Sequence, residues 1–169
     1  GTDVQDLEAI ICSTGTPDMI TPSLACRVLN NLTTENKSVM IQANDINAAC
    51  SGYIYGLQNA HDILSHKKDS KVLLITAEVL SPLLDKGDFS TAIIFGDAAS
   101  ASIISNADDA TGYSFGRPEL SASGESGEIL SVPVSREHGC VRMKGKKVFT
   151  KAVKQMSIIL EKACGSSNM

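Results

Sequence analysis

The sequence has no tryptophan, no signal-peptide pattern at its start, and no apolar run near the roughly 20 residues that a membrane-spanning helix needs. It has no excess of positive charge either. Its 15 Lys and Arg stand against 19 Asp and Glu, for a formal net charge of −4, and nothing in that balance points to nucleic acid. No CxxC pair or Cys/His cluster is present, which argues against zinc; no metal and no resident cofactor is expected. The five cysteines, Cys12, Cys26, Cys50, Cys140 and Cys164, are odd in number and lack short paired spacing, so they do not read as a disulfide framework. Free thiols in a reducing, cytoplasmic setting are the simplest reading. There is no repeat and no low-complexity segment.

What is there is a chain of 169 residues, 43% of them hydrophobic, enough for a real core. It opens almost directly into an apolar stretch and closes with Gly165-Ser166-Ser167-Asn168-Met169, ends that read as those of a fragment. Leu7 to Cys12 reads as a short buried strand, followed by a Thr/Gly/Pro-rich turn over 13–22. Thr21-Pro22-Ser23 looks like a helix start, with Thr21 as N-cap and Pro22 at the first position, and the helix runs to about Leu32. Val39 to Ile46 is a second strand. From Tyr53, Leu57, Ala60 and Leu64 a helical face runs to about Ser65. Val72 to Ala77 is a continuous apolar run that suits a strand covered on both faces. Ile93-Ile94-Phe95 and Ala99 to Ile104 read as two further strands. Residues 112–134 are mixed, and 136–147 form a basic surface loop. Phe149, Ala152, Val153, Met156, Ile159 and Leu160 make an amphipathic helical stripe. Alternating strands and helices predict a layered α/β fold with largely parallel pairing and helices on both faces.

Ligand sites in such folds sit where strands end and helices begin. Asn47-Ala48-Ala49-Cys50-Ser51-Gly52 is a small-residue junction of that kind. A thiol reacts as its thiolate, and the unpaired N–H groups of a helix start favour the anion. Such a bend exposes the Cys50 side chain and leaves its own N–H to help an oxyanion. The geometry is analogous to the nucleophile elbow of hydrolases. On its own, a cysteine at this point is as readily a small core residue as a nucleophile.

The text around it is more specific. Asp45 to Leu57 resembles the nucleophile segment of the β-ketoacyl-acyl-carrier-protein synthase III family, and Thr14 to Ala25 resembles that family's Thr-Pro-Asp and Pro-Ser elements. Phe95-Gly96-Asp97-Ala98-Ala99-Ser100-Ala101 is similar to its Phe-Gly-Asp-Gly-Ala-Gly-Ala turn. Met143 to Phe149 is similar to its Met-x-Gly-x-x-Val-Phe helix entry. The four segments agree in order and spacing over nearly the whole chain. The resemblance implies a thiolase-like layered α/β/α fold, with residues 1–169 as an incomplete first half and 112–147 as a loop-rich insertion. It also implies a homodimer and an acyltransferase of fatty-acid or related biosynthesis. Cys50 would take an acyl group from acyl-CoA or an acyl-carrier-protein thioester, and malonyl-acyl-carrier protein would then decarboxylate and attack it. Thr21 would reach the partner subunit's acyl pocket, Leu80, Phe95 and Met143 would line the pocket, and Phe149 would stand beside the pantetheine channel.

Other roles stand beside these. Phe95, Met143 and Phe149 also suit a core, Thr21 a helix cap, and Gly96 and Asp97 a turn. Lys144, Lys146, Lys147, Lys151 and Lys154 suit either docking of an acidic carrier protein or a solvated face. The family's catalytic histidine and asparagine belong to the second half of its fold. His61 and His66, read on the helix after Cys50, and His138 in the basic loop match neither. The family's arginine that stacks on the CoA adenine is Phe89 here, a lysine after the Phe149 position is Thr150, and two glycines of the Phe-Gly-Asp turn are Ala98 and Ser100. A ring at 89 still stacks but gives up the cation. The expectation is a chain acylated slowly at Cys50 and unable to complete condensation alone. A thiolase or hydroxymethylglutaryl-CoA synthase relative, and a non-catalytic dimerisation fragment, are the alternatives.

Overall fold

The computed structural model describes residues 1–33, 39–108 and 110–166. The chain divides into two compact units, the first formed by residues 1–79 and 97–118 and the second by 80–96 and 119–169.

The first unit is built on a four-stranded sheet. Its strands are β1 (Leu7–Ser13), β2 (Gln42–Ile46), β3 (Lys71–Glu78) and β4 (Ala98–Ser105), in the order β2-β1-β3-β4. β1 pairs in parallel with β2 and β3, whereas β4 runs antiparallel to β3. Successive side chains of a strand point to opposite faces, and β1 uses both. Ala9 and Ile11 join Val72, Leu74 and Ile104 on one face, where Ala60 and Leu64 of helix α2 (Gly52–Leu64) complete the cluster. Ile10 and Cys12 face the other way, where Ala25, Leu24, Val28 and Leu29 of helix α1 (Leu24–Leu32) pack. A helix on each face of a mainly parallel sheet is the layered α/β/α arrangement expected.

Helix α2 comes unusually close to the sheet at one end. A Cβ added at Gly52 would lie 1.8 Å from the Ser13 Oγ, and one at Gly56 would lie 2.3 Å from the Leu74 Cδ1. Gly52, Gly56, Ala60 and Leu64 recur every fourth residue and so lie along one face. Their side chains grow along the helix. The first turn of α2 therefore sits nearest the sheet, at the carboxyl ends of the parallel strands.

Several expectations need correction. Helix α1 is capped by Ser23, not Thr21, and Pro22 precedes it instead of opening it. The reason is that the Ser23 Oγ accepts the Cys26 N–H at 3.2 Å, while Asp45 accepts the N–H groups of Leu24 and Ala25 at 2.7 and 2.8 Å. With those donors satisfied, the helix starts at Leu24. On α2, Tyr53 is 40% exposed and does not belong to the buried face, and His66 lies beyond the helix end. On β3 only Val72 and Leu74 are fully covered; Leu73 and Ile75 pack at the margin of the second cluster. The second strand starts at Gln42, three residues later than expected, and residues 34–38 lie outside the described residues.

The second unit holds helix α3 (Phe89–Ala92), the short strands β5 (Leu130–Ser131) and β6 (Arg142–Met143), and helix α4 (Gly145–Ser166). Strands β5 and β6 pair antiparallel. The expected strand at Ile93-Ile94-Phe95 is instead the end of a helical turn. Asp88 caps it, accepting from the Ser90 N–H at 3.0 Å and the Thr91 hydroxyl at 3.0 Å, and the N–H groups of Ile94 and Phe95 return to the Thr91 carbonyl. The stretch 136–147, read as one basic loop, carries a 3-10 turn at Arg136–His138, strand β6 and the first residues of α4. The apolar stripe of α4 is exposed, with Phe149 at 70% and Met156 at 61%. Among the described residues no helix is long and apolar enough to cross a membrane.

Substituting Gly56→Ala drives a methyl group into Leu74, itself 1% exposed. The expected cost is about 2 kcal/mol of stability, read by urea unfolding of the two chains.

Candidate active site

Strand β2 ends at Ile46, and the chain turns through Asn47 and Ala48 into a 3-10 turn, Ala49–Ser51, that runs straight into α2. Cys50 is in that turn and is exposed. The bend is sharp because Ala49 adopts φ +46°, the left-handed region that a residue with a Cβ rarely enters. The Asn47 Oδ1 accepts the Ala49 N–H at 3.3 Å, and the Ser51 N–H donates to the Ala48 carbonyl at 3.1 Å. Gly52 follows, and any side chain there would collide with Ser13. Small residues at 48, 49 and 52 thus have separate reasons: the bend needs them, and so does the approach of the helix.

The loop after β1 lies across the same end of the sheet. The Thr14 N–H donates to the Ile46 carbonyl at 3.0 Å. At the end of β3, the Glu78 carboxylate accepts the Gly15 N–H at 2.8 Å and the Thr16 hydroxyl at 2.6 Å, while the Thr16 Oγ1 accepts the Val79 N–H at 2.8 Å. Sequence reasoning missed both anchoring carboxylates. Asp45 lies within the segment that resembles the nucleophile motif yet binds the start of α1, and Glu78 closes an ordinary apolar strand. Each is an acidic residue at the last or next-to-last position of a strand, which is the one available signal.

The five cysteines differ sharply. Cys12 is fully buried, Cys140 half-buried, and Cys26, Cys50 and Cys164 exposed. Burial, reinforced by the negative charge of Asp45 and by Cys26, pushes the Cys12 thiol up to about 12. Cys26, near the head of α1, directs its Sγ at the Ala43 carbonyl of β2 at 3.9 Å. Cys50 alone stands at a junction of strand and helix at the carboxyl end of the parallel strands. His61 lies in the last turn of α2, beside Asp62 at 3.4 Å, and His66 is exposed beyond it. His138 pairs with the Ser135 hydroxyl at 2.7 Å in the second unit. An open cleft of about 770 Å³, lined by His61, His66, Lys67, Ile103 and Phe115, lies at the far end of α2 and does not include Cys50.

Of the other residues singled out in the sequence, Thr21 is exposed in the first unit, and Leu80, Phe89, Phe95, Met143 and Phe149 belong to the second. Leu80, Phe95 and Met143 are half-buried, whereas Phe89 is 72% exposed at the first position of α3. Within that unit α3 packs against β6, the strand of Met143. Of the five lysines, Lys151 is occupied, donating to the Glu125 carbonyl and the Ser126 hydroxyl at 3.2 and 3.1 Å, while Lys144, Lys146, Lys147 and Lys154 are exposed. Among the described residues, no group of three His, Cys, Asp or Glu could hold a metal ion.

The family model for 3-oxoacyl-[acyl-carrier-protein] synthase III matches residues 44–124, a span that contains the whole bend. The β-ketoacyl-[acyl-carrier-protein] synthase III of Clostridium beijerinckii is 37% identical over 164 residues, covering 90% of this chain and 49% of its own length. The 3-oxoacyl-[acyl-carrier-protein] synthase III structure from Aquifex aeolicus superposes with a TM-score of 0.74 at 37% identity, over 94% of this chain and 50% of that one. The one from Pseudomonas aeruginosa gives 0.76 at 30% identity, over 92% and 48%. The chain is a partial member of the β-ketoacyl-acyl-carrier-protein synthase III family. It spans about half the length of the relatives it matches, and its fold is thiolase-like. The resemblance of the bend segment and of the Phe-Gly-Asp turn falls inside the family match; that of Thr14 to Ala25 and of Met143 to Phe149 lies outside it.

The raised Cys12 thiol has a consequence for stability. The folded chain keeps this proton after the unfolded chain, with its ordinary value of 9.0, has released it. The contribution is therefore complete below pH 9 and is lost as pH climbs towards about 12, by about tenfold in the folding constant per pH unit. Urea unfolding across that window checks this: the Cys12→Ala chain is expected to lose stability less steeply than the unaltered chain.

Proposed function

We propose that the chain is the acyl-accepting part of a condensing acyltransferase, with Cys50 as the nucleophile. The observation that carries this is the exposed thiol on a left-handed bend at the start of α2, inside the segment that matches the synthase III family. In the acylation step the Cys50 sulfur attacks the carbonyl carbon of an acyl thioester. A new sulfur–carbon bond forms, the bond to the donor's sulfur breaks, and the donor leaves as its thiol with the proton that Cys50 gave up. The Cys50 N–H, at the head of a helix, helps to hold the oxygen that becomes negative on the way. In the condensation step a malonyl group on acyl carrier protein loses carbon dioxide, its carbon attacks the acyl carbon, and the Cys50 sulfur departs.

The relatives carry acyl carrier protein in their name, and the exposed Lys144, Lys146, Lys147 and Lys154 suit an acidic carrier of that kind. Leu80, Phe95 and Met143 are proposed to line the acyl site, Phe149 to stand beside the pantetheine arm, and Thr21 to reach a second subunit. Phe89, exposed at the head of α3, is proposed to stack on the adenine of CoA in place of a cation. A cytoplasmic homodimer fits these roles.

Incubation with acetyl-CoA followed by peptide mass spectrometry tests the reading. An acetyl adduct is expected on the Cys50 peptide and absent after Cys50→Ala. No adduct at Cys50, or an adduct that survives Cys50→Ala, would overturn it, and a Cys50 no more reactive than Cys26 and Cys164 would favour a non-catalytic fragment. Phe89→Ala is expected to raise the acetyl-CoA concentration for half-maximal labelling about fivefold, the worth of one aromatic stacking contact.

A further inference from the structure

We propose that Asn47 is a positioning residue for Cys50: its side-chain carbonyl holds Ala49 in the left-handed region and thereby sets the direction in which the Cys50 thiol leaves the bend. This rests on the reading of Cys50 as the acylated nucleophile.

Among the described residues three that are not glycine have positive φ: Ala49, Asp69 and Ser126. Asp and Ser carry short polar side chains that bond locally and offset such a conformation. Alanine has nothing of its own to offer, so a neighbour must hold it there. The Asn47 Oδ1 does so, accepting the Ala49 N–H. Neither the 3-10 turn that holds Cys50 nor α2 has a side-chain cap of its own. No N-cap side chain takes up the N–H groups at the head of α2, and Asn47 acts on the backbone one step earlier, at Ala49.

Asn47 is itself supported. A Cβ on Gly15 would come within 3.4 Å of the Asn47 Oδ1, so this amide lies against the Gly15 backbone, and the Gly15 N–H is held by Glu78 at 2.8 Å. A continuous set of contacts runs from the end of β3, through the loop after β1, to the residue before Cys50. Asn47 does not have to touch substrate to act in this way.

The test compares Asn47→Ala, Asn47→Ser, Ala49→Gly and the double variant Asn47→Ala/Ala49→Gly. The readout is the rate of iodoacetamide alkylation of each cysteine at one pH, followed by peptide mass spectrometry. Asn47→Ala is expected to slow Cys50 about fivefold, the loss of one neutral hydrogen bond, with Cys26 and Cys164 unchanged and Cys12 still protected. Glycine enters the left-handed region without a Cβ penalty, so in the Ala49→Gly background the same substitution is expected to change the rate by less than about twofold. Serine, which can accept the same N–H, is expected to keep most of the rate. A Cys50 rate unchanged or raised by Asn47→Ala overturns the proposal, and so does an equal loss in the glycine background. Should Asn47→Ala expose Cys12 and so report unfolding, Asn47→Ser decides: a loss of Cys50 rate with Cys12 protected overturns the proposal. Acetyl-CoA labelling of the unaltered chain reports the nucleophile reading separately, and it persists if only the positioning role fails.

Discussion

The close approach of α2 to the sheet is the constraint on which the site depends. A helix bearing ordinary side chains stands off from a sheet. At Gly52 and Gly56 there is no side chain, and the backbone of α2 rests against Ser13 and Leu74. Further along the same face Ala60 and then Leu64 enter the core. The helix is thus held close at its head and pushed out at its tail. Its first turn, with Cys50 just before it, is delivered to the carboxyl ends of three parallel strands, where an α/β sheet offers a crevice and helix N–H groups offer donors. Side chains at 52 or 56 would lift the head and take the thiol away from the loops that surround it.

Those loops are tied down by carboxylates that look chemical and are structural. Asp45 stands five residues before Cys50, yet both of its oxygens are spent on the first N–H groups of α1. Glu78 spends both of its oxygens on Gly15 and Thr16. Each joins two stretches of chain far apart in sequence, Asp45 by accepting two backbone N–H groups and Glu78 by accepting one backbone N–H and one hydroxyl. The negative charge of Asp45 also helps to keep Cys12 protonated. The same residue thus ties α1 to the sheet and adds to the burial that keeps the Cys12 proton in place, while the Cys50 bend leaves from the same carboxyl end of its strand.

How much of this was legible followed from the range of the interactions involved. Strands β1, β3 and β4 and helix α2 announced themselves, because alternation, apolar runs and helical spacing are local properties. The strand-to-helix junction at Cys50 was legible for the same reason: a row of small residues between an apolar strand and a helical face is itself a local pattern. What local pattern could not show was Asp45 capping α1 across the sheet, and with it the helix start at Ser23 instead of Thr21. Ile93-Ile94-Phe95 has strand composition, but Asp88 with Ser90 and Thr91 closes a helical turn first. The apolar stripe of α4 was legible as a pattern, and its exposure was not. The site residues beyond Cys50 were reached through resemblance alone, since a phenylalanine in a pocket and one in a core have the same sequence signature.

The bareness of the bend bears on which step this chain is equipped to perform. Exchange of an acyl group between two thiols is nearly balanced, and a thiolate leaves readily without a proton supplied to it. What the step asks for is an exposed sulfur, a donor or two for the carbonyl oxygen, and a fixed direction of attack; the Asn47–Gly52 bend carries the exposed sulfur, and the proposed reading draws the other two from its backbone. Decarboxylation followed by carbon–carbon bond formation asks for more, because negative charge then develops on a carbon and its carbonyl and has to be stabilised by placed donors. The histidines of the first unit lie at and beyond the tail of α2, and its two strand-end carboxylates are already committed, Asp45 to the head of α1 and Glu78 to Gly15 and Thr16. On the proposed reading, the bend suits acceptance of the acyl group, and the demand for further donors falls on the second, condensing step.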